Sequence, residues 1–176
     1  MSIEMRYPLG KFTPPQGLDL AVIRRQIPVL ASLPGALRQA VEGLDDVQLD
    51  TPYRDGGWTV RQLVHHVADS HMHASARTRY ALTDNGTTIM GYDEAVWAEL
   101  IDARTLPVEP SLQILDGLHR RWVALLDALS EAQWQHEYLH PQYQSRWPLW
   151  KVLALYEWHG RHHTAHITEL RRREGW

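Results

Sequence analysis

His159 and His163 stand four residues apart in LYEWHGRHHTAHITEL, and His66 lies far upstream in TVRQLVHHVADSH. On a helix, a four-residue step stacks two side chains on one face with β-carbons roughly 5–6 Å apart, a natural bite for two imidazoles on one ion. His66 supplies a third imidazole from a second segment. Three neutral imidazoles from facing helices would leave a fourth position for water or substrate, which separates a catalytic zinc site from a closed structural one. Nickel or another late divalent metal suits the same donors, so the spacing implies one divalent ion per chain without choosing between zinc and nickel. The competing reading is a pair of hydrogen-bonded core histidines, since short motifs recur by chance.

The chain has 11 histidines, 8 tryptophans and no cysteine. The missing thiol excludes disulfides, thiolate ligands and a cysteine nucleophile together, so any sulfur chemistry comes from a substrate. A zinc protease of the HExxH type would carry Glu directly after the first histidine of the pair, but Gly160 stands there. Glu157 falls about 200° around the helix from His159 and faces away. Asp69, one turn after His66, is the one carboxylate near a seam; it is the catalytic candidate, or it orients His66. His65, His71, His73 and His162 fall off the expected seams and read as surface residues. His166, near the seam, reads as a core residue or a hydrogen-bond partner for a ligand, and Tyr156 has similar standing.

These side chains need helices to carry them. On the last helix the stripe Leu149, Val152, Tyr156, His159, His163, Ile167, Leu170 recurs at three and four residues. It opens at Pro148 and ends in Arg171, Arg172 and Arg173, cations suited to a helix C-terminus, with Gly175 as the stop. Val60, Leu63, Val67, Ser70 and Ala74 form a stripe that passes over His66, and Thr59 with Gln62 makes a capping box for this helix, which runs to about Thr83. Two further helices run over Leu18 to Leu44, where Pro28 and Pro34 should kink or break the chain, and from a cap at Ser111 to Leu129. Ser130 and Gln133 box a short helix, and a loop follows from Glu137 to Trp147.

The long connection from Asn85 to Pro110, with a short helical stretch near Asp93 to Asp102, lets the helices on either side lie parallel. The fold expected is therefore all-α, one domain over residues 1–176: a four-helix bundle in up-down-down-up order with short extra helices in the connections. Residues 1–17, with Pro8, Gly10, Pro14, Pro15 and Gly17, form an extended N-terminal arm. Strands are hardly signalled.

GGWTVRQLVHHVADSH at 56–71 and LYEWHGRHHTAHITELRRREGW at 155–176 resemble the two signature helices of the DinB/YfiT superfamily. YPLGKF at 7–12 and TPYRDGGW at 51–58 resemble the YfiT branch in particular. The resemblance implies an up-down-down-up bundle, often dimeric, whose metal is held at positions matching His66, His159 and His163. It also implies a function: first, transfer of a bacillithiol-type thiol, activated by the metal, to an electrophile; second, metal-dependent hydrolysis through water. A third reading is a non-catalytic metal-binding stress protein, since fold does not imply function. Bacillithiol carries malate carboxylates, so a cation such as Arg54, Arg61, Arg77 or Arg161 would meet them.

A formal charge of −3 offers no basic field for nucleic acid. The apolar runs fall far short of the roughly 20 residues of a membrane span, and the N-terminus lacks the apolar centre of a signal peptide, so the chain reads as cytoplasmic. The expected partners are a small-molecule substrate, a low-molecular-weight thiol and a second copy, with Trp97, Trp147 and Trp176 as exposed candidates for a homodimer interface or a cover for the core.

Overall fold

The computed structural model describes residues 5–176, so the first four positions of the arm lie outside the described residues. Asp19 accepts hydrogen bonds from the amides of Ala21 and Val22 and so opens helix α1, Leu20–Val41. Ile23, Ile27, Leu30, Leu33 and Leu37 form its buried face. Pro28 and Pro34 were expected to kink or break it, yet the helix continues through both. Proline has no N–H, so Pro34 leaves the Leu30 carbonyl without its helical donor. That carbonyl instead faces the His119 ring at 2.9 Å.

Helix α2, Asp46–Leu49, is boxed by Asp45 and Gln48, and α3, Val60–Thr83, by the expected Thr59 and Gln62. The long connection carries two short helices, α4, Glu94–Ala98, and α5, Ile101–Thr105. Helix α6, Glu109–Asp127, starts two residues before the expected Ser111 cap, with Pro110 in its first turn, where a missing N–H costs nothing. Ser111 is buried, and its hydroxyl lies 2.7 Å from His65 Nδ1. Ser130 and Gln133 box α7, Glu131–Trp134.

Where a loop was expected, strands β1, Glu137–His140, and β2, Ser145–Pro148, form an antiparallel hairpin with Glu137 opposite Pro148 and His140 opposite Ser145. Its strands are too short for alternation to announce them, and a further bridge from Leu139 to Thr88, distant in sequence, helps to hold them. Helix α8, Leu149–Glu174, completes the chain, with Gly175 in the left-handed conformation at φ 73°.

The side-chain contacts give the helix directions. Arg38 reaches Glu109 and Asp116 while Leu30 meets His119, so α1 and α6 run antiparallel. His65 meets Ser111, His71 meets His119, and Thr78 meets Trp122, so α3 and α6 run parallel. The pairs Leu33 with Gly160 and Ala40 with Arg171 make α1 and α8 parallel, and His66 with His163 followed by His71 with His159 makes α3 and α8 antiparallel. This is the up-down-down-up four-helix bundle. No helix among the described residues is long and apolar enough to cross a membrane.

Two apolar clusters fill it. One gathers Leu33, Leu37, Leu63, Val67, Leu115 and Ile167, and the other Ile27, Leu30, Trp122, Val152 and Leu153. Between them, at matching heights on three helices, come His71, His119 and the pair His159 and His163. Gly160, the residue that stands where a protease would need Glu, is where α8 meets α1: a β-carbon there would lie 2.5 Å from both Leu33 methyl groups. Gly160→Ala should therefore overpack the interface and lower unfolding free energy by about 1–3 kcal/mol, read from the urea midpoint at unchanged m-value.

Candidate metal centre

Helix α3 delivers His66 and α8 delivers His159 and His163, one turn apart, to a common point. One ligand nitrogen from each lies within 4.8 Å of the others, and the Nε2 atoms of His66 and His159 are 3.3 Å apart. Adjacent His65 turns instead toward α6 and the connection: its Nε2–H donates to the Leu106 carbonyl, and its Nδ1 accepts from Ser111. Helix phase thus assigns the two neighbouring histidines to different tasks. Trp58 packs on His66 with ring centroids 4.6 Å apart and limits its motion.

Burial holds His66 at about 4 and His159 and His163 well below the ordinary histidine value, with the neighbouring histidines adding to the shift in the latter two. All three are therefore neutral near pH 7 and carry a free lone pair. His163 Nδ1 is buried without a hydrogen-bond partner. Converging neutral imidazoles, one with an unpartnered nitrogen, fit a divalent ion of intermediate softness such as zinc or nickel. A second group, His162, His163 and His166, also brings three ring nitrogens within 4.8 Å and shares His163 with the first.

The histidines line one end of a cavity of about 490 Å³. The arm closes part of it: Tyr7 lies against His162 at 6.0 Å, Phe12 against Trp158, and the Arg6 carbonyl accepts from His166 Nε2–H at 3.2 Å. The β-hairpin supplies Tyr138, His140 and Trp147 to the wall.

Of the four arginines proposed for an anionic substrate, Arg54 and Arg77 line the cavity, each with a buried Nε that has no partner. Arg61 does not: it is buried between Asp46, Asp50 and the Leu106 carbonyl and ties α2 and the connection to α3. Arg161 is exposed and paired with Glu157, which is turned away from the cavity as its phase requires. Asp69 lies outside the cavity wall, and His66 Nε2 meets His159 instead of a carboxylate. Burial, with Asp102 nearby, raises Asp69 to about 6. Glu94 is the one carboxylate in the wall among the described residues.

Three histidines read as surface residues are buried. His71 has no exposed area, while His65 and His162 retain only a few per cent, and His73 is half-buried against Tyr92 and Trp97. The buried face is wider than the expected seam: His71 sits four residues after Val67 and three before Ala74, while His162 serves a second face, covered by the arm. His119 was not singled out, though the stripe Leu112, Leu115, Trp122, Leu126 passes directly over it. Trp97, Trp147 and Trp176 are half-buried rather than exposed, and Trp147 and Trp176 pack on the apolar clusters.

These features define a class: an up-down-down-up helical bundle with a histidine triad at the base of a cavity between α3 and α8. The DinB superfamily pattern matches residues 30–167, and the chain belongs to that superfamily. It is 48% identical over 173 residues to a protein of Geobacillus kaustophilus, covering 98% of this chain and 97% of that one. It is 47% identical over 175 residues to YfiT of Bacillus subtilis, covering 99% and 98%. Both relatives are provisionally named metal-dependent hydrolases. The solved structure of YfiT, described in the same provisional terms and as having an unusual four-helix bundle topology, superposes with a TM-score of 0.95 over 98% of each chain.

The depressed histidines have a consequence in acid. His66, His119, His162 and His166 all sit at about 4 when folded, chiefly through burial, against an ordinary 6.5. Between those values the unfolded chain binds more protons, so stability is fully present above about pH 6.5 and is lost as pH falls toward 4. Urea midpoints of the metal-free protein should decline steadily from pH 7 to 4.5; a flat profile would contradict the burial of these rings.

Proposed function

We propose that this chain is a metal-dependent enzyme that holds one divalent ion, zinc or nickel, through His66, His159 and His163, and joins a bacillithiol-type thiol to an electrophile. The observation that carries this reading is the convergence of three neutral imidazoles on a cavity whose wall offers arginines and almost no carboxylate. An ion held there would lower the pKa of a coordinated thiol or water and so supply the nucleophile. Arg54 and Arg77, cations of the cavity wall, would attract the carboxylates of a thiol cosubstrate. Tyr7, Trp58 and Trp147 add aromatic surface to the cavity wall.

Hydrolysis is the second reading, favoured by the provisional names of the relatives. It needs a base to take the proton of water, and Asp69 is not in the wall. His162 and His166, neutral and in the cavity wall, are the candidates for that part.

Metal content of untagged protein, measured beside His66→Ala, His159→Ala and His163→Ala, tests the centre. About one ion per chain is expected in the parent, with metal and turnover falling to background in each variant; metal surviving all three changes would sink the reading. In the same samples, turnover of an electrophile only when a thiol is added supports transfer, and cleavage of esters or amides without thiol supports hydrolysis.

If transfer is the reaction, Arg77→Met should raise KM for a dicarboxylate thiol roughly 10-fold, from loss of a charge-assisted hydrogen bond, and leave KM for a neutral thiol nearly unchanged. Equal effects on both thiols would remove Arg77 from substrate recognition.

A further inference from the structure

His159 is also the end of a line of imidazoles whose other members, His71 and His119, do not line the cavity. Its Nδ1 lies 3.3 Å from His71 Nε2, His71 Nδ1 lies 3.0 Å from His119 Nε2, and His119 Nδ1 lies 2.9 Å from the Leu30 carbonyl oxygen. His71 is 0% and His119 1% exposed, and neither lines the cavity.

The proton order in this line follows from its far end. A carbonyl oxygen can only accept, so His119 must carry its proton on Nδ1. A neutral His119 then has a lone pair on Nε2, so His71 must donate to it from Nδ1. A neutral His71 in turn presents a lone pair on Nε2, so His159 must donate from Nδ1. That leaves the His159 lone pair on Nε2, the atom that faces His66. Reversing the order would set a lone pair on His119 against the Leu30 oxygen in a buried site, with no donor for either. The Leu30 carbonyl is free for this role because Pro34, four residues on, has no N–H to offer it.

We infer that His71 and His119 are positioning residues: through the Leu30 carbonyl they fix His159 as its Nδ1–H tautomer and aim its Nε2 lone pair at the metal centre. The inference rests on His159 being a ligand. Metal-binding histidines generally donate their second N–H to a partner that sets ring orientation and basicity. Here the partner is a neutral imidazole, which supplies the acceptor without adding the negative charge a carboxylate would bring. The rings are clamped, with His71 stacked on His119 at 5.0 Å and edge-on to Tyr156 at 5.0 Å.

Two measurements test this. In the metal-free, full-length chain labelled with 15N-histidine, two-bond 1H–15N spectra near pH 7 should show Nδ1–H tautomers for His159, His71 and His119, against the Nε2–H form that free histidine prefers. An Nε2–H signal at any of the three overturns the inference. The second is zinc affinity by chelator competition. His119→Leu should weaken zinc binding by roughly 10–100-fold, as loss of an outer partner does. His119→Gln, whose amide can both donate to Leu30 and accept from His71, should stay within a few-fold of the parent. Unchanged affinity in His119→Leu, or equal loss in both variants, overturns the inference while leaving the metal centre standing. A parent that binds no zinc overturns the centre itself and the inference with it. Should His119→Leu not fold, the tautomer spectrum of the unaltered chain decides alone.

Discussion

A layer of imidazoles crosses the bundle between two apolar clusters, and every ring nitrogen buried there costs free energy unless a donor, an acceptor or an ion meets it. Much of the architecture answers that requirement. His65 is met by Ser111 and the Leu106 carbonyl, and His119 by the Leu30 carbonyl. Where partners run out, at His163 Nδ1 and between the facing nitrogens of His66 and His159, the geometry suits a cation. The polar layer interrupts what would otherwise be a continuous core.

Helix α1 contributes no ligand, yet it conditions the site in two ways. Pro34 removes one helical hydrogen bond, at a cost of a few kcal/mol for a proline in a helix interior, and the freed Leu30 carbonyl anchors the histidine line. One turn away, Leu33 packs against Gly160, which lets α8 approach α1 closely at the height of His159 and His163. The long connection between α3 and α6 makes those helices parallel and brings His71 beside His119. The directions of the helices and the proton order of the histidines are in this sense one problem.

The wall that α3 and α8 begin is completed by parts outside the bundle: the arm, the loop carrying Arg54 and Trp58, and the β-hairpin. These segments make contacts distant in sequence, such as Arg6 with His166 and Leu139 with Thr88. The histidine triad thus sits on rigid helices, while loops and the hairpin complete the wall around it.

The four helices, their boxes at Thr59 and Ser130, and the three candidate ligands were legible in the sequence because each depends on local periodicity. A four-residue step places His159 over His163, and an apolar stripe at helical spacing carries His66 inward, whatever the rest of the chain does. The hairpin, the burial of His65, His71 and His162, the role of His119, and the sorting of Arg54 and Arg77 from Arg61 and Arg161 were not legible. Each depends on what lies opposite, and one helix face says nothing about the chemistry of the face it meets. A histidine's tautomer is the clearest case: it is set by a carbonyl on another helix, freed by a proline, two imidazoles away. The sequence by itself determined which residues could hold an ion; the tertiary structure decided which nitrogens face one another, because hydrogen-bond partners in a bundle come from neighbouring helices far away along the chain.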